Sequence, residues 1–186
     1  MLPEARPRPT TPSEGLALPH RKLFTIGYEG ADLTSFLATL VAAGVEQVLD
    51  VRELPQSRKA GFSKVALGAA LEKEGIRYRH LRDLGDPKPG RDAARRGDHR
   101  GFLRIYGRHL QGQPAQAALA EAGGLASALP SCLLCFEREH EACHRAVVAA
   151  EMAVRQGFRV SHLRVTLASE RSSVRGSNEQ NPAEVG

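Results

Sequence analysis

The sequence predicts an α/β domain, a three-layer α/β/α sandwich with a mostly parallel sheet of about five strands. Two observations carry that expectation. Short apolar runs alternate with stretches of helical periodicity from residue 23 to residue 163, and the spacers between successive runs are long enough for crossover helices rather than hairpins. With 186 residues and 41% hydrophobic content, one domain has enough apolar material for a real core.

Leu23 to Tyr28 reads as the first strand. Asp32 to Ala43 follows as a helix, with Asp32 as N-cap and Gly44 as stop. Gln47 to Val51 is the second strand, and a loop from Arg52 to Phe62 leads into a helix capped by Ser63 and ended by Gly75. Ile76 to His80 is the third strand. A Gly, Pro and Arg-rich loop then precedes helical stretches at Gly101 to Leu110 and Pro114 to Leu129, the latter interrupted at Gly123-Gly124. Cys132 to Phe136 is the fourth and most continuously apolar strand. Ala142 to Gln156 is helical, Gly157 stops it, and Arg159 to Leu163 is the fifth strand. Residues 1–21 and 167–186 read as flexible tails, being rich in Pro or in Ser, Glu, Asn and Gly without apolar periodicity. The single domain is expected at 22–166.

Composition limits the setting. No apolar run reaches the length of a membrane span, and the N-terminus has prolines and arginines where a signal peptide needs an apolar stretch. The three cysteines, Cys132, Cys135 and Cys143, lie in one short stretch and cannot all pair, which favours a reducing, cytoplasmic location with no membrane partner. Net charge is +5, and it is local: Arg52 to Arg108 holds fifteen Lys and Arg against seven Asp and Glu, so the remainder is net negative.

Parallel sheets of this type bind ligands beyond the carboxyl ends of their strands. Those ends carry Gly27-Tyr28-Glu29-Gly30, Asp50-Val51-Arg52, His80 and Cys135-Phe136-Glu137, and the loops leaving them carry Pro55, Ser57, Arg58, Phe62, Lys64, Leu84-Gly85 and Cys143-His144-Arg145. Taken in order, Thr25 to Tyr28, Asp50-Val51-Arg52 with Pro55 and Ser57-Arg58, Phe62-Ser63-Lys64, Tyr78 with Leu84-Gly85, and Leu134 to Glu137 followed by Cys143-His144-Arg145 resemble the family catalogued as domain of unknown function 488. The resemblance covers about residues 23 to 163 and implies an α/β sandwich; it implies little about activity.

Each constellation has a chemical and a structural reading. Cys143-His144-Arg145 opens a helix, where backbone N–H groups and the dipole favour a thiolate or a bound phosphate that Arg145 and His144 would grip; alternatively Cys143 packs as a small apolar side chain and Arg145 pairs with Glu137. Asp50 and Arg52 project to one face of a strand, either as acid-base carboxylate and partner cation or as an ion pair closing the sheet. Glu137 adds a second carboxylate. Cys132 reads as core. Cys135, three residues on, points to the opposite face, which argues against a thioredoxin-like pair, and Cys135 faces either core or crevice.

The set Cys135, Glu137, His140, Cys143 and His144 has zinc-ligand types but lacks paired short-spaced knuckles, so no metal and no cofactor is assigned from spacing. Arg58, Lys59, Lys64, Arg77, Arg79 and Arg82, with Phe62 and Tyr78 interleaved, read as a nucleotide or nucleic-acid surface or as a solvated basic face. Lys88 to Arg108 reads as a mobile lid or a soluble loop. Dinucleotide, P-loop and serine-hydrolase signatures are missing.

These observations lead to an enzyme or enzyme-like domain that binds an anionic, phosphate-bearing ligand, nucleotide or nucleic acid. Asp50, Glu137 and Cys143 are its expected catalytic residues. Arg52, Arg58, Lys64, His144 and Arg145 are the expected anion-binding residues, and Tyr28, Phe62, Tyr78 and Cys135 the expected pocket residues. Two other readings stand beside it, a non-catalytic nucleic-acid-binding module and a thiol- or metal-dependent enzyme using Cys135 and Cys143.

Overall fold

The computed structural model describes residues 21–166; the two expected tails fall outside these residues apart from Arg21. Five parallel strands form one sheet in the order β3-β2-β4-β1-β5. They are β1 (Lys22–Gly27), β2 (Gln47–Asp50), β3 (Arg77–His80), β4 (Ser131–Cys135) and β5 (Arg159–His162). Six helices connect them: α1 (Leu33–Ala42), α2 (Lys64–Lys73), α3 (Lys88–Arg95), α4 (His99–Leu110), α5 (Gln113–Ala128) and α6 (His144–Gln156).

Two apolar clusters lie on the two faces of the sheet, because alternate strand residues point opposite ways. Ile26, Val48, Cys132 and Leu134 join Phe36 and Leu40 of α1 and Leu67 and Leu71 of α2 in one. Leu23, Leu49 and Leu133 join Phe102, Tyr106, Leu119, Ala122, Val148 and Met152 from α4, α5 and α6 in the other. The result is the expected three-layer sandwich. β4 lies at its centre, is buried along its whole length, and pairs with β1 and β2 on its two sides; a strand with helices over both faces reads as continuously apolar.

Local signals set most boundaries. The Asp32 carboxylate accepts from the Ser35 backbone N–H at 2.8 Å and caps α1. Gly157 ends α6 at φ 72°, a left-handed conformation that only glycine adopts without strain. Ser63 occupies the N-cap of α2, but its hydroxyl makes no capping bond there.

Two expectations are corrected. Residues 88–108 form two helices joined by a short turn at 96–98 rather than a mobile lid or loop: α3 begins beside Pro87 and Pro89, which a first helical turn tolerates because its N–H groups have no intrahelical acceptor, and Asp98 caps α4 through the Gly101 N–H at 2.8 Å. Gly123-Gly124 does not interrupt α5, whose Ala115, Ala118, Leu119, Ala122 and Ala126 stripe is buried and outweighs the glycine propensity cost of about 1 kcal/mol per residue.

Candidate functional site

The carboxyl ends of β1, β2 and β4 open on a cavity of about 360 Å³. Tyr28, Arg52, Cys135, Phe136, Glu137 and His144 form part of its wall, with Arg58, Asp86, Arg91 and Arg95 around them. Tyr28, Arg52, Arg58, Cys135, Glu137 and His144 were expected at such a crevice, and they do meet there.

Behind this wall lies an ion pair. Asp50 is fully buried, and its carboxylate accepts from Arg52 Nε at 2.8 Å, Arg52 Nη2 at 2.5 Å, the Arg52 backbone N–H at 3.1 Å and the Tyr78 hydroxyl at 2.5 Å. Four donors fill the lone pairs of its two oxygens, so Asp50 has none left for a substrate proton. Arg52 also donates to the Tyr28 hydroxyl at 3.0 Å and to the Phe62 carbonyl at 2.9 Å. This fixes the β2 end against the ring stack of Tyr28 and Phe62, whose centroids are 4.4 Å apart. Burial raises the Tyr78 phenol above its ordinary range, and the Asp50 charge raises it further.

The cavity's chemistry gathers around Glu137. Sγ of Cys135 at the end of β4 and Sγ of Cys143 at the N-cap of α6 each lie 3.0 Å from Glu137 Oε2. His144 Nε2 donates to the Val51 carbonyl at 2.7 Å, a bond only a ring N–H can make, and the ring lies beside both sulfurs, with Cys135 Sγ 3.7 Å from Nδ1 and 3.9 Å from Nε2 and Cys143 Sγ 3.9 Å from Nδ1. Tyr106 packs on the imidazole at a centroid distance of 5.2 Å and is itself held by its hydroxyl on the Leu84 carbonyl at 2.7 Å.

Electrostatics splits these groups. Burial raises Cys135, and the neighbouring Cys143 raises it further. Burial alone would raise Cys143 too, but the hydrogen bond with Cys135 and the positive charge of His144 outweigh it and hold this thiol well below its ordinary range. His144 rises to about 9 because the Cys143 charge outweighs its own burial. Glu137 is pushed up to about 7 by burial and by the Cys143 charge.

Backbone contacts place Glu137. A Cβ on Gly27 would lie 1.7 Å from the Glu137 carbonyl oxygen, so only glycine lets the chain after β4 pass so close to β1. The Glu29 N–H donates to the Phe136 carbonyl at 2.9 Å, and the Glu29 carboxylate accepts from the Arg138 N–H at 3.0 Å.

Several expected residues lie elsewhere. Arg145 is 1% exposed and absent from the cavity wall; its guanidinium donates to the carbonyls of Glu137 and Arg138, so it anchors the loop through main-chain oxygens rather than through the Glu137 carboxylate. Lys64 is exposed at the start of α2, outside the cavity. Phe62 is fully buried and has no face left for a base. Tyr78 is half-buried and committed to Asp50. Cys132 lies in the core on the opposite sheet face from Cys135.

Sequence reasoning missed Asp86, Arg91 and Arg95 as cavity residues. Asp86 is 6% exposed, lines the cavity, and its Oδ1 has no hydrogen-bond partner. Burial raises its carboxyl to about 6. A Cβ on Gly90 would lie 2.0 Å from that oxygen, so the first turn of α3 needs glycine there. Arg91 donates to the Glu53 carboxylate and the Asp86 carbonyl, pinning α3 to the loop after β2. The available signal was the Gly85-Asp86-Pro87 turn directly before a proline-initiated helix.

No curated protein and no solved structure matches the chain. The family model described as "Domain of unknown function DUF488" matches residues 32–152, a span that includes the β2 and β4 ends, the α3 helix and the Cys143-His144-Arg145 turn. The match covers more than half of the chain, and the protein belongs to the DUF488 family.

Proposed function

We propose that this domain is an enzyme that binds an anionic, phosphate-bearing ligand of the nucleotide class at the carboxyl ends of its strands. The observation that carries the reading is the convergence on one cavity of a buried thiol, imidazole and carboxylate cluster with exposed arginines. Arg58 and Arg95 stand exposed at the cavity and would meet phosphate oxygens. Arg58 makes no ion pair with the described residues, so its charge is available. Phe136 and Leu54, 45% and 52% exposed, supply an apolar wall beside these cations, which suits a ligand that is charged at one end and flat at the other.

Within this reading the acid-base role belongs to Asp86 rather than Asp50. Asp86 lines the cavity, and burial raises its carboxyl to about 6, close to the range that general acid-base work needs. Glu137 and His144 line the reactive floor, with buried Cys143 in contact with both.

Calorimetric titration with inorganic phosphate and with nucleoside 5′-monophosphates tests this. Arg58→Ala should weaken binding roughly tenfold to a hundredfold, the worth of one charge-assisted hydrogen bond, while Lys64→Ala should leave it unchanged. Equal losses from both variants, or no binding by the wild type, would remove the reading.

A further inference from the structure

We infer that Cys135, Cys143, His144 and Glu137 form a binding site for a divalent transition-metal ion of the zinc class at the floor of the cavity. One ligand atom from each lies within 4.8 Å of all the others. They come from three places in the fold: the last residue of the central strand, the loop that follows it, and the first turn of α6. The inference deepens the reading above and rests on it only for the ion's access to a ligand in the cavity.

The convergence of two sulfurs, an imidazole and a carboxylate on one point is what suits coordination. Cys135 Sγ lies 3.7 Å from His144 Nδ1 and 3.9 Å from Nε2, and Cys143 Sγ lies 3.9 Å from Nδ1. A tetrahedral ion with metal–sulfur bonds of about 2.3 Å and metal–nitrogen bonds of about 2.0 Å sets a sulfur–nitrogen edge at about 3.5–3.6 Å. His144 is also presented as a metal-binding histidine is, with one ring nitrogen anchored on a backbone carbonyl, here Val51, and the other beside both sulfurs.

Donor chemistry selects the ion. Two sulfurs and an imidazole favour zinc and its borderline-soft neighbours over magnesium or calcium, which prefer oxygen. Cys135, Cys143 and His144 are 3%, 2% and 5% exposed, so they form a largely buried three-point set. Glu137 is the most exposed of the four and faces the cavity, which makes it the ligand that a substrate oxygen or water can replace. Loading the ion needs both sulfurs as thiolates and a free imidazole nitrogen, so whatever protons Cys135, Cys143 and His144 Nδ1 hold are released to solvent as the metal–ligand bonds form.

Purification of the full chain without chelator, followed by elemental analysis and by titration of the chelator-treated chain with Zn²⁺ and Co²⁺ alone, tests the site. About one ion per chain is expected, with a thiolate-to-cobalt charge-transfer band in the Co²⁺ form. Cys135→Ser and Cys143→Ser should each abolish that band and lower Zn²⁺ affinity at least tenfold, whereas Cys132→Ala, in the core on the other face, should keep both. A wild-type chain that takes up no stoichiometric ion or shows no sulfur-to-cobalt band overturns the inference, whatever the variants do. Nucleotide titrations of the loaded and chelator-treated chains separate the two claims. A bound ion without nucleotide affinity supports the metal site and removes the ligand reading; nucleotide affinity in a chain that binds no ion does the reverse.

Discussion

Asp50 and Asp86 are both buried carboxylates near strand ends, and their surroundings give them opposite parts. Asp50 is matched by Arg52 and Tyr78. Asp50→Asn would leave Arg52 buried without its counter-charge and should cost about 3–5 kcal/mol, and Tyr78→Phe, removing one hydrogen bond to a charged group, about 1.5–3 kcal/mol. Urea unfolding of the two variants measures both, and losses below about 0.5 kcal/mol would mean that the pair does not hold the β2 end. Asp86 binds its proton more tightly in the folded chain, with its carboxyl raised from 3.8 to about 6. Its contribution to stability is therefore complete below about pH 4 and is lost as pH rises through about 6. Asp86→Asn should flatten that part of the stability–pH curve and stabilise the chain at pH 8 by about 1–2 kcal/mol, a range that allows for screening by solvent in the cavity. An unchanged slope between pH 4 and 7 would contradict the assignment.

At the scale of elements, the loop from Phe136 to Cys143 is held through its main-chain carbonyls as well as by side-chain pairs such as Glu139 with Arg164. Arg145→Ala removes the donors on the Glu137 and Arg138 carbonyls, and Gly27→Ala drives a Cβ into the Glu137 carbonyl. Both should speed amide hydrogen exchange across residues 136–143 at least tenfold, with β2 and β3 unaffected. The strands, α1 and α6 were legible in the sequence because an apolar period and a cap or stop residue agree at each. The helical character of residues 88–95 was not legible, because Lys88-Pro89-Gly90 reads locally as a breaker; proline there falls in the first helical turn, and glycine is required by contact with Asp86. The meeting of Tyr28, Arg52, Cys135, Glu137 and His144 followed from the strand ends and the loops that leave them. The withdrawal of Arg145 and Phe62 from the cavity did not, since a motif gives a residue's place in the chain and not the direction of its side chain.

On the scale of the whole molecule, the sheet order puts β4 between β1 and β2, so its end is the one place where the Gly27 turn, the Asp50–Arg52 pair and the α6 N-terminus all meet. The positive excess of residues 52–108 is partly neutralised on folding: Arg79 pairs with Glu121, Arg91 with Glu53, and Lys88 and Arg95 with Asp92. With Phe62 buried as well, the extended nucleic-acid face is less well supported than a compact anion pocket. Among the described residues, no helix is long and apolar enough to cross a membrane. A nucleic-acid module would bind with a steep salt dependence and be indifferent to Asp86 and Glu137. The most direct measurement is a two-dimensional amide NMR titration of the full chain with a nucleoside 5′-monophosphate. The expected result is a set of shifts confined to residues 52–58, 86–95 and 135–144; shifts centred on Lys64, Arg77 and Arg79 instead, or none at saturating ligand, would contradict a working pocket at the carboxyl end of β4.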